Sequence, residues 1–381
     1  IKHEFKEGVT DEFNISSMSG LSRRKFIGLL TASTAIAATA CSDYHDQKEI
    51  VPYTNRPEGV LPGKPNYYAS TCSGCAEACG ILIKTREGRP IKVDGNDEHP
   101  INKGKICATG QSSIYNLYDP SRLQNPLKGN SKTNWAVADD EIIKKLDAVS
   151  NSGKKIVVLT NSINSPTERK MLDEFKQRFA TAEVHAFDLF NNCNKKFGWF
   201  KSYGNADIPS IKWDKANVIL SLEGDFLGKE GNFIENTRLF SSKRDFNNIS
   251  EFNRLYVVEA GLSLTGSNSD YRMRLKPEAQ YDFVMALLNE VISKGASSIV
   301  VNSELKNKLS NFNLKTVASK NELDTIKLNY LIEDLIKNKG KAIVYAGDLL
   351  SSDVQIAVNL LNEVLGNTTL YDFDTAYVNT G

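Results

Sequence analysis

The sequence has no excess of charge of either sign and few histidines, and its cysteine content is low for its length. Its 381 residues contain 47 Lys and Arg against 46 Asp and Glu, a formal net charge of +1. This balance gives no basis for nucleic-acid binding through counterion release, so we expect no nucleic-acid partner. Six cysteines in so long a chain exclude the disulfide scaffold of a small secreted domain.

The sequence also lacks an apolar run long enough to span a membrane near its start. Phe26–Ala40 is apolar but shorter than the about 20 residues of a membrane-spanning helix. It follows the twin-arginine export pattern of Ser22–Ile27. The run ends in Ala38–Cys41, which is similar to a lipobox, so we expect cleavage and acylation at Cys41. An incidental Cys41 at an ordinary cleavage site and an uncleaved anchor helix are the alternatives. We expect export to the periplasmic side of the bacterial inner membrane.

Composition divides the chain into four regions. Residues 1–41 form the tail, twin-arginine signal and lipobox, and the proline-containing residues 42–66 are predicted to be an extended linker. Residues 67–125 are expected to form a small β-rich domain, and residues 126–381 an α/β domain. Because the first residue is not Met and the chain stops just after a strand-like stretch, we expect a piece of a longer reading frame, with the last domain incomplete.

Four of the six cysteines form a C-x2-C-x3-C-x27-C array, Cys72, Cys75, Cys79 and Cys107. Three thiolates on one looping segment and a fourth from a distance can cap the corners of a cubane [4Fe–4S] cluster. Zinc sites use paired short spacings, and the second pair is missing here. Disulfides gain nothing from such crowding. The array therefore favours a [4Fe–4S] cluster, with zinc and disulfides or free thiols as alternatives.

The residues around the array predict short strands and close turns. Residues 81–85 and 90–94 are predicted to be two strands of a hairpin, joined by a turn over residues 86–89. Gly74 and Gly80 would let the backbone wrap around the cluster and donate amide hydrogen bonds to sulfur. Glycines at positions 104 and 110 bracket Cys107 in the same way.

The following region alternates strand-like apolar runs with helical segments. The predicted strands are Lys155–Thr160, Asn217–Leu222, Arg254–Glu259, Ser298–Val301 and Ala342–Ala346. The predicted helices are Asp139–Val149, Thr167–Phe179, Tyr281–Ser293, Thr325–Lys339 and Val354–Leu365. This alternation predicts parallel sheets covered by helices on both faces, with ligands beyond the carboxyl ends of the strands.

Several segments together resemble a known family. Cys72–Gly80, Thr85–Asn96, Asn102–Gln111 and Leu117–Leu123 resemble the iron–sulfur domain that opens the molybdopterin-dinucleotide oxidoreductases. With the twin-arginine start, the segments at residues 224–227 and 263–270 resemble the ActB subunits of alternative complex III, which are quinol-oxidising respiratory assemblies facing the periplasm. The resemblance implies a small β-rich iron–sulfur domain followed by doubly wound parallel-sheet domains, and partners among the subunits of a membrane respiratory complex.

The sequence departs from this family where a molybdenum bis(guanine dinucleotide) cofactor would bind. Relatives with the cofactor usually have Pro-Gly-Thr-Asp where this chain has Pro277–Gln280, and many have Lys or Arg where this chain has Thr109. Glu223 adds negative charge beside the expected pyrophosphate loop. Cys193, before a predicted helix that runs into Tyr203, could ligate molybdenum, but a lone cysteine more often packs as a small hydrophobe.

The histidines show no ligand spacing. His45 and His185 stand alone, and His99, which precedes Pro100 in a loop near the array, is expected to be a solvated loop residue.

Three functions follow from these features. The first is an electron-transfer and scaffolding subunit that carries one [4Fe–4S] cluster in a quinol-oxidising respiratory complex, with a degraded molybdenum site. The second is a catalytic molybdenum oxidoreductase of the polysulfide or tetrathionate reductase type, in which the cluster serves a bound cofactor. The third is a structural assembly module with a non-redox cluster. The departures from the family at the expected cofactor site leave open whether the chain has an active site of its own.

Overall fold

A computed structural model of the protein describes residues 58–376. The twin-arginine segment, Cys41, His45 and most of the predicted linker lie outside the described residues, so the expectations for them stay predictions. The described residues from Leu61 onward belong to one compact unit. No helix in this part of the chain is long and apolar enough to cross a membrane.

The strands range from two to seven residues. They are β1 (Pro65–Thr71), β2 (Gly80–Arg86), β3 (Arg89–Gly95), β4 (Leu127–Lys128), β5 (Ser131–Lys132), β6 (Ile156–Thr160), β7 (Ala182–Ala186), β8 (Pro209–Ile211), β9 (Val218–Leu222), β10 (Arg254–Glu259), β11 (Tyr271–Arg274), β12 (Ala342–Ala346) and β13 (Tyr371–Ala376).

The α-helices occur along the described chain from Ala108 onward. They are α1 (Ala108–Ser112), α2 (Tyr115–Tyr118), α3 (Trp135–Asn151), α4 (Pro166–Arg178), α5 (Cys193–Tyr203), α6 (Phe233–Ser242), α7 (Leu264–Ser267), α8 (Gln280–Ser293), α9 (Ser303–Leu309), α10 (Leu314–Lys320), α11 (Thr325–Lys337) and α12 (Ser352–Leu365). Short 3-10 turns occur at Trp213–Lys215, Phe246–Glu251, Pro277–Ala279 and Asn367–Leu370.

The cysteine array lies on a small antiparallel sheet. Its strands have the order β1-β2-β3, and β2 and β3 form the predicted hairpin, with Glu87 and Gly88 in the turn at positive φ. The first strand begins at Pro65, within the segment predicted to be an extended linker. The sheet therefore places the ends of β1 and β2, which flank the first three cysteines, side by side.

A four-stranded parallel sheet forms the centre of the α/β region. Its order is β11-β10-β9-β12, and every neighbouring pair is parallel. All residues of β9 and β12 are buried, which explains their largely apolar sequences, since parallel strands covered on both faces have no solvent side. Because the strands are parallel, their carboxyl ends meet at one edge.

Alternate strand residues supply two separate hydrophobic cores, as the period of two requires. On one face Leu220, Tyr256 and Val344 pack with α8, α11 and α12. On the other face Ile219 and Val257 pack in an aromatic cluster whose members are Trp199, Trp213, Phe226, Phe240, Tyr345 and Tyr371. Helices thus cover both faces, and the predicted α/β class with a parallel sheet is confirmed.

Most predicted elements are found within one to four residues of their expected ends, but one strand is wrong. Residues 298–301 form no strand, and Val300 is 99% exposed. A short run of β-branched residues fits a strand only where a neighbouring strand accepts it. The sequence reasoning also missed β7, β11 and the helices α6, α9 and α10.

Candidate metal centre

Strand pairing brings the first and third cysteines of the array together. The pairing of β1 with β2 ends at Thr71 opposite Gly80, so the intervening residues form a closed loop. At its base the amide of Cys72 donates to the carbonyl of Cys79 at 2.8 Å. At its far side the amide of Ala78, at positive φ, donates to the carbonyl of Cys75 at 3.3 Å. One short loop therefore carries three of the four thiols.

Asn102 connects the loop of the fourth cysteine to this base. Its side chain is 1% exposed and makes three hydrogen bonds to the backbone. The Oδ1 atom accepts from the amide of Gly80 at 3.0 Å, and Nδ2 donates to the carbonyls of Gly80 at 2.9 Å and Lys105 at 2.7 Å. The segment leading to Cys107 is thus fixed to the residue directly after Cys79.

Backbone donation to sulfur occurs at one of the predicted glycines and fails at another. The amide of Gly110 donates to Sγ of Cys107 at 3.3 Å, where Cys107 caps the first turn of α1. The amide of Gly80 binds Asn102 instead of sulfur, so that expectation is wrong. Gly80 has a packing role, because a Cβ there would collide with the ring of His99.

The four thiols are close enough for their charges to interact. Burial raises the pKa of Cys79 to about 12, and Glu77 and the thiolates of the other three cysteines add to the rise. Burial also raises the pKa of Cys75, with smaller contributions from Glu77, Cys107 and Cys72. Negative charge at these sulfurs is unfavourable without a cation, since like charges in a buried site disfavour ionisation. An iron–sulfur core bound by thiolates would supply that cationic partner.

The described residues contain no group of three or more His, Cys, Asp or Glu side chains gathered tightly enough to hold a single metal ion. The sulfurs of the array are grouped more loosely than that. In a cubane cluster each thiolate binds a different iron atom. The donor set of four thiols around two adjoining loops fits a cluster of this kind in its chemistry.

Glu77 lies inside the cysteine loop and contacts the α/β region. Its Oε1 accepts from the amide of Ile234 at 3.4 Å, and its Oε2 lies 3.8 Å from Sγ of Cys79. Burial raises the pKa of Glu77 to about 7, against the lowering effect of the amides of Ile234 and Phe233. A carboxylate between two ligand positions was not identified from the sequence, where one glutamate in a motif is unremarkable.

The other candidate residues occupy different surroundings. Cys193 is exposed at the first residue of α5, so the expectation that it packs as a small buried hydrophobe is wrong. His99 is half-buried and not a solvated loop residue, because its ring lies against Gly80 and its Nδ1 accepts from the amide of Asn102 at 3.4 Å. His185 is exposed on β7, with Nε2 3.5 Å from Glu183.

At the carboxyl edge of the parallel sheet, carboxylates of the chain accept hydrogen bonds from backbone amides. Glu223, which follows β9, accepts from the amide of Ala260 at 2.7 Å. Asp225 is 8% exposed, and its Oδ1 accepts from both the amide and the hydroxyl of Thr265 at 3.0 Å. These are the positions where a bound pyrophosphate would be expected to find its donors.

Glu259, the last residue of β10, repeats this arrangement. It is 2% exposed, and Oε1 accepts from Nε of Arg272 at 2.7 Å and from the amide of Ser263 at 3.3 Å. Two glycines near this edge are crowded by the same acids. A Cβ at Gly228 would collide with the carboxylate of Asp225, and one at Gly266 with that of Glu259.

A buried group of charges lies beyond β12. Nζ of Lys195 is 2.5 Å from Oδ1 of Asp348 and 3.9 Å from the centre of the Tyr345 ring. Glu230 is 6% exposed nearby, and its Oε2 has no hydrogen-bond partner within the described residues. Burial raises the pKa of Glu230 to about 7, while Lys195 lowers it and Asp348 raises it.

Two positions that depart from cofactor-bearing relatives carry uncharged side chains. Gln280 is fully buried and donates through Nε2 to the carbonyl of Val258 at 3.0 Å. Thr109 is exposed on α1. Because both side chains are uncharged, neither residue supplies a charge for binding a cofactor.

Comparison with known proteins agrees with this geometry. The model of the molybdopterin oxidoreductase Fe4S4 domain matches residues 66–119, the segment that contains β1 to β3 and all four cysteines of the array. The chain contains a molybdopterin oxidoreductase Fe4S4 domain. The predicted family is thereby confirmed, whereas the assignment of individual residues as cluster ligands stays a prediction.

Relatives extend the similarity into the α/β region of the chain. The menaquinone reductase molybdopterin-binding-like subunit of Nitratidesulfovibrio vulgaris is 22% identical over 76% of this chain and 42% of its own length. A sulfite dehydrogenase subunit of Allochromatium vinosum is 26% identical over 62% of this chain and 24% of its own length. The chain therefore spans less than half of these curated relatives.

A solved structure shows the same fold. Acetylene hydratase from Pelobacter acetylenicus superposes with a TM-score of 0.59 over 79% of this chain and 44% of its own, at 17% sequence identity. At that identity the likeness concerns the fold alone. It supports the predicted α/β fold.

Proposed function

We propose that this chain is an electron-transfer and scaffolding subunit that holds one [4Fe–4S] cluster at Cys72, Cys75, Cys79 and Cys107. The observation that carries the proposal is the joining of two separate loops, through Asn102, at the base of a thiol-bearing turn inside a matched Fe4S4 domain. When bound, such a cluster accepts and donates single electrons.

The chain's own residues would hold and tune this group. Cys79 is the buried ligand, and Cys75 is the exposed one, so solvent reaches one side of the site. The amide of Gly110 donates to the sulfur of Cys107, and hydrogen bonds to ligand sulfurs raise the reduction potential of a cluster by stabilising the added negative charge. The exposed side is the natural direction for electron exchange with a partner.

The carboxyl edge of the sheet supports a degraded molybdenum site as part of the proposal. The backbone amides that would donate to a dinucleotide's phosphates already donate to the carboxylates of Glu223, Asp225 and Glu259. The carboxylates of Asp225 and Glu259 also fill the space beside two glycines. A polyanion docked there would face three carboxylates. The residues present do not fit the cofactor, so no chemical step is assigned to it.

The setting of the subunit is likewise a proposal. One relative is named a subunit of menaquinone reductase, which supports a place in a quinone-linked complex with other subunits. Within such a complex we assign the chain to the quinol-oxidising assemblies that its motifs resemble. The twin-arginine pattern and Cys41 favour the periplasmic side of the inner membrane and a lipid anchor.

Reduction of the anaerobically purified protein tests electron transfer. We expect a paramagnetic signal of one reduced [4Fe–4S] cluster per chain, absent from a Cys75→Ser variant. Iron that cannot be reduced at accessible potentials would instead favour the structural assembly module.

The catalytic alternative has its own test. One relative is named as part of a sulfite dehydrogenase, and molybdenum with pterin at one per chain would favour a catalytic role for this chain too.

A further inference from the structure

Helix α6 begins without a capping bond from its own flanking residue. The side chain of Asn232, at the position before the helix, makes no cap to the first-turn amides and donates to Oε2 of Glu235 at 3.4 Å. The first amides of a helix have no intrahelical partners and need an acceptor from elsewhere. For α6 that acceptor comes from the iron–sulfur domain.

Glu77 supplies the acceptor from the middle of the cysteine loop. Its Oε1 accepts from the amide of Ile234, the second residue of α6, across 157 positions of sequence, and the amide of Phe233 also donates to this carboxyl group. An acidic group at the amino end of a helix also benefits from the helix dipole. The same side chain reaches Sγ of Cys79 through its other oxygen.

A second hydrogen bond holds the neighbouring residue of this loop. Nδ2 of Asn164, in the segment after β6, donates to the carbonyl of Ala76 at 3.1 Å. The cysteine loop is therefore held from two places in the α/β region, through consecutive residues that stand between Cys75 and Cys79.

Packing at the adjoining boundary is incomplete. A cavity of about 430 Å³ lies between the segment before Cys107 and helix α6, and Lys105, Ile106, Phe233 and Arg238 are among the residues that line it. Because apolar contact is interrupted here, specific polar contacts must determine much of the orientation of the cysteine loop against α6.

We propose that Glu77 is a positioning residue that fastens the cysteine loop to α6 and so keeps Cys75 and Cys79 in place to retain the cluster. This inference rests on the proposed function, because it assumes a cluster at the array. Loss of a helix cap is expected to raise the population of the undocked loop about five- to tenfold. Iron release through that undocked state should accelerate by the same factor.

The test compares the rate of iron release to a chelator from the anaerobically purified full chain. We expect Glu77→Ala to lose iron about five- to tenfold faster than wild type. Glu77→Gln keeps a side-chain oxygen that can accept from Ile234 and should restore most of the retention. Glu98→Ala, which removes an exposed carboxylate from the same domain, is the matched control and should behave as wild type.

Hydrogen exchange at the start of α6 provides a second readout that does not depend on iron. The amides of Phe233 and Ile234 should exchange faster in Glu77→Ala and stay protected in Glu77→Gln and Glu98→Ala. Equal iron release and equal exchange in all variants of an iron-loaded protein would overturn the positioning role and leave the proposed function intact. A wild-type protein without iron would overturn both, whatever the exchange result.

Discussion

Acidic groups gather in one region of this molecule and thiols in another, and the two regions differ in whether the chain itself supplies partners for these groups. At the carboxyl edge of the sheet, Asp225 and Glu259 accept hydrogen bonds from amides, a hydroxyl and an arginine of the same chain. In the iron–sulfur domain, Cys75 and Cys79 are held near other thiols whose charges oppose their ionisation. The contrast teaches that the partners of the donor atoms within the chain, and not the resemblance alone, indicate which positions could hold a ligand.

The largest expected effect comes from removing the buried thiol. Cys79→Ser should lower bound iron from about four atoms per chain to a small fraction, because a cubane loses an anchoring thiolate. Iron content and visible absorbance of anaerobically purified protein measure this. Cys193→Ser removes an exposed thiol outside the array and should leave iron unchanged. An unchanged iron content in Cys79→Ser, or a loss of iron in Cys193→Ser, would contradict the assignment of the cluster to the cysteine array.

A smaller but still large effect is expected from the residue that joins the two loops. Asn102→Ala removes three buried hydrogen bonds and should lower the free energy of unfolding by about 2 to 4 kcal/mol, with partial loss of iron. Urea unfolding measures the stability. Asn116→Ala, at an exposed position of α2, should change stability by less than about 0.5 kcal/mol. Equal stability of the two variants would show that Asn102 does not hold the loops.

A substitution at the carboxyl edge should lower the stability of the protein without lowering its iron content. Asp225→Ala leaves the buried amide and hydroxyl of Thr265 without their acceptor and should cost about 1 to 3 kcal/mol in the free energy of unfolding. Iron content should equal that of wild type. Asp207→Ala, an exposed loop carboxylate, is the control. A loss of iron in Asp225→Ala would mean that the two regions depend on each other more than their separate contacts indicate.

A further effect on stability concerns Glu230, a buried acid beyond β12 with one oxygen that has no hydrogen-bond partner within the described residues. Glu230 has a folded-state pKa raised from 4.5 to about 7, so the folded protein binds its proton more tightly than the unfolded chain. Stability from this group is therefore complete below about pH 4.5 and falls as pH rises through about 7. Glu230→Gln should remove this decline and gain about 1 to 3 kcal/mol at pH 8 relative to wild type.

Unfolding measured at several pH values checks the slope. Glu333→Gln, at an exposed position of α11, should keep the wild-type pH dependence. A Glu230→Gln protein whose stability falls with pH as steeply as wild type would show that the decline has another source.

Sequence reasoning succeeded where the chain carries a local signal. Strands β9, β10 and β12 were predicted because each is a mostly apolar run, and the family resemblance was seen in the segments around and after the cysteine array. Residues 298–301 failed because their local propensity has no neighbouring strand to pair with. Helix α6 was missed because polar residues interrupt its apolar pattern.

The partners of the site residues could not be predicted, for a physical reason. The bond from Ile234 to Glu77 joins residues 157 positions apart, and that from Thr265 to Asp225 joins residues 40 apart. No sequence periodicity encodes such pairs, which depend on how loops meet after the sheets have formed. Glu223 was singled out from the sequence for its acidic side chain, but its amide partner, Ala260, is evident only in the fold.

Joint measurement of iron, molybdenum and pterin in anaerobically purified protein tests the central claim most directly. The account predicts about four iron atoms per chain, with molybdenum and pterin at background. Protein without iron, with Cys72, Cys75, Cys79 and Cys107 oxidised in pairs, would contradict the cluster. Stoichiometric molybdenum and pterin would contradict the degraded site.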